Sequence, residues 1–344
     1  MIRRLFPWIV LIVLVLGGVT VSVLAAWMMR PLAPSSGSST PPAPRMIEIP
    51  DGATFRQVAS SLEKERVIAS RWGFLLLGRL TWSDRRIIPG EYALHAGMPP
   101  RDILYKLRTG QVVHHPITIP EGFTIAQIAE VLEQKSVTNT KEFLRLAHDR
   151  DFILTAFKLE RPSLEGYLFP DTYHVPRHTA AKDLITMLVE SLWRVFTPEF
   201  RARAQEIHMT VHEILTLASV IEKETGVDEE RQLVSSVFHN RLKRRIPLQS
   251  DPTVIYGLSL FDGNLKRRDL DKIGPYNTYR VAGLPPGPIA NPGVRSIRAA
   301  LYPAPTSYLY FVSRNNGTHE FSTTLVEHNR AVEKYQRQPV RRIS

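Results

Sequence analysis

The chain has 344 residues, 43% of them hydrophobic, enough apolar side chain to bury a substantial core in more than one folded unit. It contains no cysteine, which excludes disulfides and thiolate metal sites. Its 44 Lys and Arg against 33 Asp and Glu give a net charge of +11, which suits nucleic acid, an anionic membrane surface or an acidic polymer equally. The basic runs at 243–245, 266–268 and 341–342 come without a helix-turn-helix or RNA-binding signature, so they read as solvated faces, and no nucleic-acid partner is expected.

Arg3 and Arg4 open the chain, and no further charge occurs until Arg30. The apolar run between Leu5 and Met29, carrying Trp8 and Trp27 near its ends, is long enough for a membrane-spanning helix. A signal peptide cleaved near Val23 to Ala26 is the alternative. The length favours a retained single-pass anchor over residues 1–30, with the arginines holding the N-terminus in the cytoplasm and the body of the protein outside it. Residues 31–45, rich in Pro, Ser and Ala, read as a flexible tether.

From Met46 the pattern becomes structured: IEIP predicts a short strand, PDGAT a turn, and Thr54 with Gln57 a capping box opening a helix. The unit recurs seventy residues later, where PDGATFRQVASSLEKERVI lines up with PEGFTIAQIAEVLEQKSVT. Pro50, Gly52, Thr54 and Gln57 answer Pro120, Gly122, Thr124 and Gln127, a single repetition and too few for a solenoid. The first copy continues into a helix over Arg71 to Leu80, a strand within IIPGEYAL and a helix from Pro100 to Thr109. This strand, helix, helix, strand order resembles a LysM-like module, a type that recognises N-acetylglucosamine polymers; element order alone leaves open whether residues 46–115 grip sugar or only prop up the next unit. The expected class is α+β, with residues 116–335 as a larger mixed α/β domain and 336–344 as a basic tail.

In the larger domain LEGYLFPDTY, Leu164 to Tyr173, reads as a strand with turns, bracketed by Glu165 and Asp171, each a candidate to line a cleft or to cap a neighbouring element. Helices follow over Lys182 to Phe196 and Pro198 to Ile207. Thr210 with Glu213 makes another capping box, and Gly226 stands where a C′ glycine would end that helix. At 100° per residue Ile214, Leu217, Ala218 and Ile221 share one side, and Glu222 projects into that apolar sector. A carboxylate removed from water holds its proton to higher pH, as a general acid requires; the alternative is a helix-end Glu that reaches solvent or pairs with an Arg of the next helix.

Asp228 is expected to cap the following helix, which Pro247 stops. PLQSDPTVIYGL brings Gln249, Asp251 and Tyr256 close together, an amide, a carboxylate and a phenol suited to an oligosaccharide, with Asp251 also readable as an N-cap. The Pro- and Gly-rich stretch YNTYRVAGLPPGPIANPG predicts a long ordered loop walling a cleft, with Asn277, Tyr279 and Asn291 as its polar reach. A helix from Ser296 to Leu301, a buried strand YLYFV, its hairpin partner HEFSTT across Asn316 and Gly317, and a helix from Leu325 to Tyr335 close the domain. His208 and His212 share a helical spacing without an HExxH pattern or a paired acidic ligand, so neither a metal nor another cofactor is expected.

Several blocks, in order, carry a resemblance: LEGYLFPDTY, ASVIEKET, VFHNRLKRRIPLQSDPTVIYGL, YNTYRVAGLPPGPIANPG and FVSRNNGTHEFSTTLVEHNRAV. From about Ser163 to Val332, and more weakly back to Ile47, the chain resembles the YceG-like (MltG-type) endolytic murein transglycosylases of bacteria. In that family the catalytic acid is the first Glu of the E-K-E-T stretch, which carries over to Glu222. The resemblance implies that one acid protonates the glycosidic oxygen between N-acetylmuramic acid and N-acetylglucosamine, then takes the proton of the muramyl C6 hydroxyl as that oxygen attacks C1. It leaves Glu165, Gln249, Asp251, Tyr256, Asn277, Tyr279 and Asn291 as sugar-positioning candidates, peptidoglycan glycan strands as the partner, and work beside the polymerases that make those strands. A non-catalytic, membrane-anchored glycan-binding scaffold is the alternative.

Overall fold

The computed structural model describes residues 15–20, 23, 26, 43–83 and 87–337. The anchor and tether expected over 1–45, and the basic tail, fall largely outside these residues. Among the described residues no helix is long and apolar enough to cross a membrane. The class is mixed α/β, and the chain divides into two compact units, one within Met1–His115 together with His174–His178, the other within Pro116–Tyr173 together with Thr179–Ser344.

In the first unit β1 (Arg45–Ile49) pairs antiparallel with β2 (Gly90–Leu94), with α1 (Phe55–Lys64) and α2 (Arg71–Leu80) between them and α3 (Pro100–Thr109) after them. The period of two along each strand sends Ile47, Ile49, Tyr92 and Leu94 to one face, where they meet Val58, Leu62, Phe74, Leu77, Ile103 and Leu107. Tyr92 is fully buried, and its hydroxyl donates to Ile88 O at 2.6 Å, so its polar end has a partner.

The internal repeat is a repeat of geometry. In both copies a glycine of positive φ, Gly52 at 75° and Gly122 at 76°, makes the turn. In both a threonine then caps the helix reciprocally with a glutamine, Thr54 with Gln57 and Thr124 with Gln127. The second copy belongs to the larger unit, where β3 (His115–Thr118, in this unit from Pro116) precedes α4 (Ile125–Gln134), α5 (Thr140–Ala147) and α6 (Arg150–Phe157), and β4 (Thr172–Val175, in this unit to Tyr173) precedes α7 (Ala181–Val195) and α8 (Pro198–Glu206). The expected strand at 164–173 is confined to its end: Leu164 to Pro170 form a buried turn, held by bonds such as Tyr167 N–H to Leu164 O at 2.9 Å, and the strand starts at Thr172.

The centre of the larger unit is α9 (Val211–Glu224), opened by the Thr210–Glu213 capping box. Every residue from Ile214 to Ile221 is buried, so α9 is surrounded rather than one-sided, a pattern that the one-face reading undercounts. Gly226 does not take the left-handed conformation expected of it; α9 ends instead on an extended Thr225 at φ −140°, ψ 135°. Three residues later the chain re-enters a helix as α10 (Asp228–Lys243), whose N-cap is Val227, so Asp228 is free to use its carboxylate elsewhere. Then come α11 (Asp251–Gly257), the short α12 (Arg267–Leu270), the long loop, α13 (Val294–Leu301), the hairpin of β5 (Tyr310–Ser313) with β6 (His319–Ser322), and α14 (Leu325–Val332). Tyr310 to Ser313 are half-buried rather than buried, since a two-stranded ribbon covers only part of its surface.

Candidate active site

Glu222 lies in the last turn of α9. The short link to α10 turns the chain back so that Arg231, one turn into that helix, meets it. Arg231 Nη1 donates to Glu222 Oε1 at 3.0 Å, and the two side chains are only 7% and 6% exposed. The second oxygen, Oε2, accepts the Gly293 N–H at 2.9 Å. The carboxylate is therefore removed from water, as the helical pattern predicts, but its surroundings are not aliphatic. The pairing with an Arg of the next helix, the alternative left open by the sequence, is what the fold provides. A buried charge needs such a partner.

Arg231 is itself fixed, by Asp228 Oδ1 at 3.0 Å and Ser296 Oγ at 2.8 Å. Two glycines let backbone approach the site. A methyl added at Gly122 would lie 3.3 Å from Glu222 Cγ, and one added at Gly293 would lie 2.0 Å from Glu121 Oε1. Glu121 thus rests its carboxylate on Gly293, whose N–H holds Glu222. Its side chain is 34% exposed and pairs with Arg295 at 3.7 Å. Burial first, then the negative charge of Glu222, raise the Glu121 pKa above the usual carboxylate range, against the opposing pull of Arg295 and Arg231.

The other candidates fall into separate groups. Glu165, Tyr256 and Asn291 come together: Glu165 accepts from Ile125 N–H at 3.2 Å, Asn291 Nδ2 at 3.0 Å and Tyr256 Oη at 3.3 Å. Asn291 also accepts from Leu168 N–H at 2.9 Å and donates to Phe123 O at 2.8 Å, which ties three loops into one wall. The segment 121–125 therefore touches Glu222 at its start and Glu165 at its end. Asp251 accepts from Tyr279 Oη at 2.7 Å; it is the first residue of α11, with Ser250 in the cap position instead. Gln249, at φ 52°, accepts from Arg241 at 3.1 Å. Asn277 does not reach into a cleft. It is 5% exposed and braces its own loop, donating to Leu270 O at 2.9 Å and Lys272 O at 2.6 Å while accepting from Tyr279 N–H at 3.0 Å.

Two carboxyl groups, Glu165 of this wall and Glu224 two residues past Glu222, are buried deeply enough to hold their protons. Burial pushes the Glu165 carboxyl from the ordinary 4.5 up to about 7, offset in part by the donors of Ile125, Tyr256 and Asn291. Burial does the same to Glu224, also to about 7, with the Ser250 hydroxyl bonded to it and Asp251 adding to the rise. The native state then binds protons that the unfolded chain releases above pH 4.5, so stability is full below that pH and falls as pH rises through about 7. Urea midpoints of the wild type should fall across this window. Glu224→Gln, whose amide oxygen still accepts from Ser250, should flatten that fall.

A hollow of about 940 Å³ opens elsewhere in this unit, lined by His208, His212, His239, Lys243 and the Gly283 to Pro286 turn among others, and Glu222 does not line it. His212 is engaged on both ring nitrogens, by Tyr167 Oη and Pro286 O, each at 2.9 Å. Among the described residues no group of three or more His, Asp or Glu is placed to hold a metal ion.

A model of the YceG-like family matches residues 47–334. The chain belongs to the YceG-like family. It is 36% identical over 305 residues to a protein of Bacillus subtilis (strain 168) named endolytic murein transglycosylase, a match that covers 84% of each chain. A protein of the same name from Streptococcus pneumoniae (serotype 2, strain D39) is 30% identical over 321 residues, covering 84% of this chain and 58% of that longer one. Among solved structures, a yceG-like protein of Listeria monocytogenes is similar at 34% identity with a TM-score of 0.57, covering 83% of this chain and 98% of that one.

The sequence singles out Glu222 by its place in the last turn of a buried helix. Two residues of the same site carry no such flag. Arg231 sits nine positions on, and helical spacing sets it on the buried face with Val234, Phe238 and Arg241 without saying which carboxylate it meets, while Glu121 hides in the repeated turn, opposite Asp51 of the first copy. The departure of PEGFT from PDGAT is a signal only once the second copy is known to pack under Glu222.

Proposed function

We propose that this YceG-like chain is an endolytic peptidoglycan lytic transglycosylase, cleaving the β-1,4 bond between N-acetylmuramic acid and N-acetylglucosamine by general acid/base catalysis centred on Glu222 and leaving a 1,6-anhydromuramyl end. The observation that carries this reading is the match at 36% identity, over 84% of both chains, to a protein named endolytic murein transglycosylase, with Glu222 as a carboxylate held in place on both oxygens. Preorganised donors around a catalytic carboxylate cost nothing to rearrange during the reaction. The pair Tyr256 and Tyr276, with ring centroids 4.9 Å apart, and the Glu165–Asn291 wall supply stacking and hydrogen-bonding surface for a sugar. In this reading Asp251, Tyr279 and Gln249 position the sugar indirectly, through the turn before α11.

The proposed setting is the outer face of the cytoplasmic membrane, the body anchored by residues 1–30 and working beside strand-synthesising polymerases. The apolar run at 5–29 supports the anchor. The βααβ order of 46–115 supports a LysM-like module ahead of a catalytic domain over 116–335. Purified protein incubated with isolated peptidoglycan is expected to release muropeptides ending in 1,6-anhydromuramic acid, at a rate that a chelator leaves unchanged. Reducing ends in their place would replace intramolecular attack by hydrolysis, and an unchanged muropeptide profile would favour the glycan-binding scaffold.

A further inference from the structure

Helix α2 of the first unit, RWGFLLLGRL, has no acidic residue and is apolar around most of its circumference, yet only one side of it is covered. Phe74, Leu77 and Gly78 face the core. Gly78 fixes that orientation, because a methyl added there would run into the Phe55 ring of α1. At 100° per residue the opposite arc carries Arg71, Arg79, Trp72, Leu76 and Leu80, all exposed. Trp72 is 63% exposed and Leu80 52%, and Trp82, which follows the helix at φ 54°, is 81% exposed. Large apolar side chains left in water on successive turns mark a surface that something else covers.

From this face, and resting on the anchored setting proposed above rather than on the reaction at Glu222, we propose that α2 docks on an anionic phospholipid surface, with Trp72, Leu76, Leu80 and Trp82 entering the headgroup region and Arg71 and Arg79 meeting lipid phosphates. Place, composition and charge favour lipid over a protein partner. Residues 31–45 lead from the apolar run to β1, and Arg45 is held at the end of α1, donating to Glu65 O at 2.7 Å. The first N–H of α2, that of Arg71, donates to Glu63 of the same helix end at 2.9 Å. The tether therefore joins the unit beside the end of α2 that carries Arg71 and Trp72. A flexible chain of its length spans about 20 Å on average, so this face stays close to the bilayer that holds the anchor. Trp and Leu interleaved with Arg, and no acid among them, is the composition of a helix that lies in a membrane interface, indole rings at headgroup level and cations on the phosphates. The Arg71 guanidinium already stands 5.1 Å from the centroid of the Trp72 ring, which compensates part of its charge as the pair leaves water. Along the sequence, residues 66–86 set Arg66, Arg71, Arg79, Arg85 and Arg86 against a single acid, Asp84, a surplus that anionic lipid attracts.

Because the chain has no cysteine, a single introduced one gives a unique label. The test places nitrobenzoxadiazole on Leu76→Cys, or on Asn316→Cys in the exposed β5–β6 turn of the larger unit, in the full chain reconstituted into vesicles of phosphatidylcholine and phosphatidylglycerol. The label at Leu76→Cys should emit at shorter wavelength than in water, and nitroxide-bearing lipid should quench it about threefold or more beyond the label at Asn316→Cys. Adding Arg79→Glu and Trp82→Ser, two exposed changes outside the core, should cut that quenching by about half or more, with thermal unfolding as a check on folding. A full chain that does not float with the vesicles overturns the anchored setting and the docking together. A floating chain whose Leu76→Cys label emits as in water overturns the docking alone. A label that is shielded from water yet untouched by the lipid quencher means that protein, such as a second copy of the chain, covers α2, and overturns it equally. Release of anhydromuramyl ends bears on the reaction at Glu222 and on neither of these.

Discussion

Glu222→Gln is expected to fold and to release anhydromuramyl ends from peptidoglycan at least roughly a thousandfold more slowly than wild type, the size of effect associated with losing a positioned proton-transfer group. The amide oxygen can still accept from one of the two donors now serving the carboxylate, Arg231 Nη1 or the Gly293 N–H. It cannot accept a proton from a sugar hydroxyl. The other donor meets an NH₂ group, so a modest loss of stability, about 1–3 kcal/mol, accompanies the loss of activity. Muropeptide analysis alongside thermal unfolding separates the two, because a variant folded at the assay temperature with undiminished product would remove Glu222 from the mechanism.

The second large effect concerns Arg231. Replacing it by Leu leaves the Glu222 carboxylate buried without its counter-charge, and breaking a buried pair in this way costs about 3–5 kcal/mol. The side chains are 7% and 6% exposed, so solvent does little to compensate. Asp228 Oδ1 and Ser296 Oγ lose a donor as well, which spreads the damage across α9, α10 and α13. Denaturant midpoints measure the loss, and a double variant sharpens it: Arg231→Leu combined with Glu222→Gln should be less destabilised than the sum of the single changes, because the neutral amide no longer demands a counter-charge. Additive losses would mean that Arg231 serves packing and the Ser296 contact, and that its pairing with Glu222 contributes nothing measurable.

Capping boxes are local, three residues apart, so the starts of α1, α4 and α9 and the twofold turn-and-helix repeat were legible from spacing alone. Helix ends were less so. Gly226 and Asp228 carried the right chemistry for a C′ and an N-cap, but packing between α9 and α10 found another solution in three residues, and local preferences of about a kilocalorie per mole yield to such packing. The stretch at 164–170 alternated like a strand yet has no strand partner; it is a buried turn because Asn291, more than a hundred residues away, supplies the acceptor for its Leu168 N–H at 2.9 Å.

The site divides in the same way. By itself the sequence determined that a carboxylate at 222 sits near the end of a buried helix, and it determined the family, since both depend on residues adjacent in the chain. Only the tertiary structure decided what that carboxylate touches. Arg231 returns to it across an interhelical turn, Gly293 offers an N–H from a loop 71 residues on, and Glu121 arrives from 101 residues before, on the second copy of the repeat. Periodicity fixes the direction in which a side chain leaves its helix; the groups waiting there come from other elements, and those were set by how the helices and loops close around α9.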